Sequence, residues 1–69
     1  MIEISDQVKL LKAVDGMPVC AGETGVVMDQ HGDGLGGVLM EVEFHPANEE
    51  HEVWLSVRPE NLEKATKTH

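Results

Sequence analysis

The chain predicts an all-β domain of five short strands closed into a small barrel, and three observations carry that expectation. Residues 38–44 and 51–57 each alternate apolar and polar side chains with a period of two. The run Gly22-Glu23-Thr24-Gly25-Val26-Val27-Met28 reads as a strand entered through a tight turn at the end of a long connection. No segment sustains the 3.6-residue period of a helix.

In chain order, Ser5-Asp6-Gln7 forms a turn that introduces a first strand, Val8-Lys9-Leu10-Leu11. Residues 12–22 contain Gly16, Pro18 and Gly22, which disfavour regular structure and mark a long loop. The second strand follows at Gly25. Asp29 to Gly37, with four glycines, reads as a flexible loop. In the third strand Val38, Met40, Val42 and Phe44 share the inward face, leaving Leu39, Glu41 and Glu43 outward. A polar turn from His45 to Glu50 leads to a fourth strand with Val53, Leu55 and Val57 inward and Glu52, Trp54 and Ser56 outward. Arg58-Pro59-Glu60-Asn61 gives one short 3-10 turn, with φ preset by Pro59, that returns Leu62 to the core before a brief fifth strand. Residues 1–63 form the domain on this reading, and 64–69 a flexible tail.

With 69 residues, one Trp, one Phe and no Tyr, the core is small and aliphatic. Such a core rarely supplies more than ~3–5 kcal/mol unaided, so oligomerisation or docking is expected to add stability. Cys20 is the single cysteine, which precludes an internal disulfide. Thirteen acids face five basic residues for a formal charge of −8, and two of those bases, Lys64 and Lys67, lie near the C-terminus. Phosphate backbones demand the opposite sign, so nucleic acid is excluded as a partner and a protein with a basic or apolar surface is favoured. No signal-peptide pattern and no span of about 20 apolar residues is present, and a lone thiol suits a reducing compartment. The expected location is cytoplasmic, with no membrane partner.

The marks Asp6-Gln7-Val8, Gly22-Glu23-Thr24-Gly25-Val26-Val27, Val42-Glu43-Phe44 and Pro59-Glu60-Asn61-Leu62-Glu63 span most of residues 5–63. In them the chain resembles the SH3-like small barrels, especially compact bacterial families of unknown function. It is more distantly similar to the variable chain of ferredoxin–thioredoxin reductase, the E subunit of photosystem I and the C-terminal domain of the nitrile hydratase β-subunit. Those relatives are accessory pieces of larger complexes. The resemblance therefore implies an assembly or docking role and supplies no active-site residues. Barrel-type dihydrofolate reductase is similar in architecture, but its pore-lining motif has no counterpart before the last strand.

Several local patterns imitate functional motifs. Gly32-Asp33-Gly34-Leu35-Gly36-Gly37 matches Gly-x-Gly-x-x-Gly, yet a strand pattern follows where a dinucleotide site requires a helix. Asp29, His31 and Asp33 echo a calcium loop, but Met40 stands where the bidentate Glu belongs. His31, His45 and His51 have acids nearby without a compact ligand spacing, so a weak metal site is an alternative to surface histidines. Cys20 lacks a cationic neighbour in sequence and reads as a small, partly buried residue. A barrel of this size encloses no interior cavity for a substrate.

The outward face carries the functional expectation. If Phe44 and His51 flank the hairpin turn, Glu41 lies across from Trp54 and Leu39 across from Ser56. Two large apolar groups then adjoin within an acidic rim, as in an interface anchor. Alternatively, Met17, Pro18 or Val19 of the first loop folds over the ring. The expected function is a non-enzymatic interaction or assembly module, an accessory subunit or a homo-oligomer, with Leu39, Glu41 and Trp54 as partner-binding residues. No catalytic residue and no cofactor is assigned. The alternatives are a small enzyme subunit whose site forms at an oligomer interface, or a weak metal-binding accessory protein.

Overall fold

The computed structural model describes residues 1–65. Its elements are β1 (Gln7–Leu10), β2 (Thr24–Gly32), β3 (Val38–Phe44), β4 (Val53–Val57), a 3-10 turn at Pro59–Asn61, and β5 (Leu62–Lys64). All five strands are antiparallel in one sheet of order β4-β3-β2-β1-β5. The all-β class and the lone 3-10 turn are as the sequence predicts. Closure is not: among the described residues no ladder joins β4 to β5, so the sheet is open and these strands are its two edges. The ends still share one core, because Leu55 and Val57 of β4 and Leu62 of β5 belong to the same buried cluster as Val8, Leu10 and Phe44.

Period-two alternation places Met40, Val42 and Phe44 inside, each at most 1% exposed, while Val38 at the start of β3 is more open. The first loop adds a core residue that pattern reading passes over. Val19 is 1% exposed within an otherwise exposed stretch. Around it the Gly22 N–H donates to the Leu10 carbonyl and the Cys20 N–H to Glu23 Oε2. The first of these bonds ties the loop base to β1, and the second closes the loop end on itself. Cys20 itself is exposed, correcting its expected partial burial.

β2 continues to Gly32, so the predicted Asp29–Gly37 loop shrinks to residues 33–37. That loop is not loose. Asp33 Oδ1 accepts the N–H groups of Leu35 and Gly37 at 2.7 and 3.0 Å, and its Oδ2 accepts from Arg58 Nη1 at 2.6 Å. Gly34 and Gly36 supply the positive φ values that such a tight turn requires. The Arg58 guanidinium and the two backbone donors hold the Asp33 carboxyl at about 2. A depressed folded-state pKa adds stability above the ordinary carboxylate range, and that stability is lost as pH falls from about 4 through about 2. Asp33→Asn should therefore flatten the acid limb of a urea-midpoint profile measured from about pH 5 to about pH 2. An unchanged slope would refute the role of this pair.

At the other end, Lys64 lies in β5 and the Ala65 N–H donates to the Gln7 carbonyl, so the strand extends beyond the expected boundary at Glu63. The remainder of the predicted tail, 66–69, lies outside the described residues. No helix among the described residues is long and apolar enough to cross a membrane.

Candidate functional site

The outer face of β2, β3 and β4 is the region where exposed apolar and titratable side chains meet. Two backbone features determine which residues do so. The first is an irregularity in β2: Val27 pairs with Val42 but Asp29 with Glu41, which leaves Met28 as an extra residue. Directly opposed residues share a face. After the bulge Asp29 and His31 therefore project outward with Glu41 and Leu39, whereas Gln30 turns inward opposite Met40.

The second feature is the β3–β4 register. Phe44 pairs with Val53, Glu43 with Trp54, and Glu41 with Ser56. This corrects the expected register by two residues. Because the hairpin loop is two residues longer than predicted, Glu41 does not face Trp54 and Leu39 does not face Ser56. A complete row, Glu41 and Ser56, now separates Leu39 from Trp54, about 13 Å along the strands at ~3.3 Å per residue. The expected apolar pair does not form.

Trp54 is outward and 46% exposed; Val19 has gone to the core and does not cover the ring. Across the sheet Trp54 is in register with Glu43, Val26 and Gln7, so its apolar companion on this face is Val26, 38% exposed. Met28 is also exposed at the bulge. Pattern reading misses Val26 because Val26-Val27-Met28 reads as an undivided apolar run.

Between the apolar groups lies a polar cluster. Ser56 Oγ donates toward Glu41 Oε1 and Oε2 at 3.0 and 2.8 Å, and His31 Nε2 donates to Glu41 Oε2 at 3.0 Å. His31 Nδ1 lies 3.4 Å from the Gly32 carbonyl. Both partners of the imidazole are acceptors, so only the doubly protonated ring satisfies both. Accordingly the Glu41 hydrogen bond, then the Gly32 carbonyl, raises the His31 pKa, while His31 and then Ser56 lower that of Glu41. The order Ser–Glu–His differs from that of an acyl-transfer triad. There the imidazole must sit between hydroxyl and carboxylate to take the hydroxyl proton. Here the carboxylate is central and Ser56 is a donor, so the cluster has no activated nucleophile.

His45 pairs with Glu43 at 3.3 Å, one row from the His31 cluster, and His51 is in the exposed hairpin loop. The three histidines are thus spread over separate positions. Among the described residues no group of three or more His, Cys, Asp and Glu side chains is arranged to hold a metal ion. On the inner side a pocket of about 290 Å³ opens between Met1, Ile2, Gln30, Val38, Met40 and Pro59. It lies at the surface and is mainly apolar, with no charged side chain in its lining.

The chain matches no known protein-family model, no curated protein and no solved structure.

Proposed function

We propose that the chain is a non-enzymatic protein-interaction module related to the SH3-like small barrels, and that the outer face of β2–β4 is its contact surface. The observation that carries this reading is Trp54, the single tryptophan, standing 46% exposed on an edge strand. Val26 and Met28 add apolar surface on β2, Glu43 stands between Trp54 and Val26, and Glu41 follows in the next outward row. Buried aromatic anchors inside polar rims dominate interface energetics. The overall charge of −8 directs the surface toward a basic protein and away from phosphate backbones.

Trp54→Ala should leave the domain folded, since the ring is outside the core, yet weaken association by at least about 2 kcal/mol, or about thirtyfold. Thermal melts by circular dichroism check folding. Sedimentation of the pure protein and quantitative partner capture from native extract check association. A variant that folds normally and retains both its solution mass and its captured partners would overturn the assignment of this face.

A further inference from the structure

β4 differs from the other edge strand in lacking any device that blunts it. β5 has only three residues, two of them Glu63 and Lys64, and is preceded by the 3-10 turn. β4 has five residues, Val-Trp-Leu-Ser-Val, with no charge, no proline and no irregularity in its pairing with β3. Among the described residues its backbone hydrogen-bonds only to β3. Native edge strands are ordinarily shortened, charged, bulged or covered. An uncharged regular edge is a template for one more strand.

Resting on the interaction reading above, we propose that the partner contributes an extended segment that pairs with the free edge of β4 and alternates basic and apolar residues. Side-chain chemistry sets that alternation. On the inner face the added strand borders Val53, which is only partly buried, and Leu55, so apolar residues extend the core there. On the outer face it borders Trp54 and Ser56. Ser56 is small, and directly behind it Glu41 presents its carboxylate. A guanidinium projecting from the added strand, one strand spacing of ~4.8 Å beyond β4, extends over Ser56 and takes a place on Glu41. The next outward position meets the Trp54 ring, where a cation or an apolar group stacks. Backbone bonds provide affinity and the alternate side chains specificity, as in other strand additions.

A second copy of this chain fits the edge less well. Its β4 brings no basic residue, its Arg58 is held by Asp33, and each copy carries −8. Like charge opposes the pairing.

The full chain, labelled with nitrogen-15, is titrated with an end-blocked synthetic peptide alternating valine and arginine. Amide shifts should concentrate at 53–57 and at the Trp54 indole. Replacing arginine by glutamate, or N-methylating alternate peptide bonds to remove the pairing donors, should each weaken binding at least about tenfold. Glu41→Gln should weaken the arginine peptide about tenfold and the glutamate peptide not at all. If N-methylation has no effect, the partner lies on the face and not at the edge, which overturns strand addition and leaves the Trp54 contact surface standing. Absence of shifts at 53–57 with every peptide overturns it as well, and the Trp54→Ala capture experiment then decides the broader reading independently. A concentration-dependent dimer that protects the β4 amides would assign the edge to a second copy and refute the heterologous partner.

Discussion

Phe44→Ala should abolish cooperative folding. Phe44 is the single phenylalanine, fully buried at the end of β3, and the largest of the core side chains. It pairs with Gly25 on one side and Val53 on the other, so it connects three of the five strands. Truncating a buried Phe costs about 3–5 kcal/mol, the lost transfer energy plus the cavity left behind. A core of only ten buried hydrophobic residues in a 69-residue chain supplies about the same amount. No internal disulfide compensates, because Cys20 stands alone. The variant should therefore show neither a cooperative urea transition nor dispersed amide resonances at 25 °C. A cooperative transition displaced by less than about 1 kcal/mol would show that the core does not depend on this ring.

Residues whose partners are local are the most legible in the sequence. β3 is a clean alternation and its bounds, Val38–Phe44, coincide with the predicted strand. Pro59 fixes the 3-10 turn in the same local way. The departures share a different origin. The hairpin loop between β3 and β4 is mostly polar and runs without a break in composition into His51 and Glu52, so composition does not state its length, and the predicted register is off by two. Since the side-chain period is also two, that slip preserves every inward and outward assignment while changing every cross-strand neighbour. Trp54 thus stands on the predicted face but beside Glu43 in place of Glu41.

The Met28 bulge has the opposite consequence. One extra residue inverts the facing of the residues after it, and nothing in Val26-Val27-Met28-Asp29 marks it. His31 consequently reads as a loop residue in the sequence and is a strand residue against Glu41 in the structure. Val19 and the Asp33–Arg58 pair are illegible for another reason: their partners lie far along the chain, where local pattern carries no information. The open sheet belongs here too. The number of strands follows from local signals, but the pairing of β1 with β5, and whether the last strand reaches the fourth, depend on long-range contacts and on curvature accumulated over the whole sheet.

Gly25→Ala should destabilise the domain by about 1–3 kcal/mol although it adds only a methyl group. Gly25 opens the inward face of β2 directly opposite Phe44. Its backbone has no positive φ, so the requirement for glycine here is one of space. A Cβ at this position would lie 2.6 Å from the Glu43 carbonyl oxygen and 2.8 and 3.0 Å from Cδ1 and Cε1 of the Phe44 ring. Neither neighbour yields easily, because the oxygen belongs to the backbone of β3 and the ring is fully buried. Relief requires β2 and β3 to separate, in the part of the sheet where β2 also pairs with β1. Comparison with Phe44→Leu separates the two clashes. Shortening the ring removes the aromatic contacts but leaves the carbonyl at 2.6 Å, so Gly25→Ala should cost less on the Phe44→Leu background than on the native one, yet remain destabilising. Full rescue in the double variant would show that the ring alone excludes the methyl group; strict additivity would show that the backbone clash alone matters. Urea midpoints of the four proteins distinguish these outcomes, and a Gly25→Ala protein as stable as the native chain would overturn the close approach of β2 and β3 on which the position of Phe44 depends.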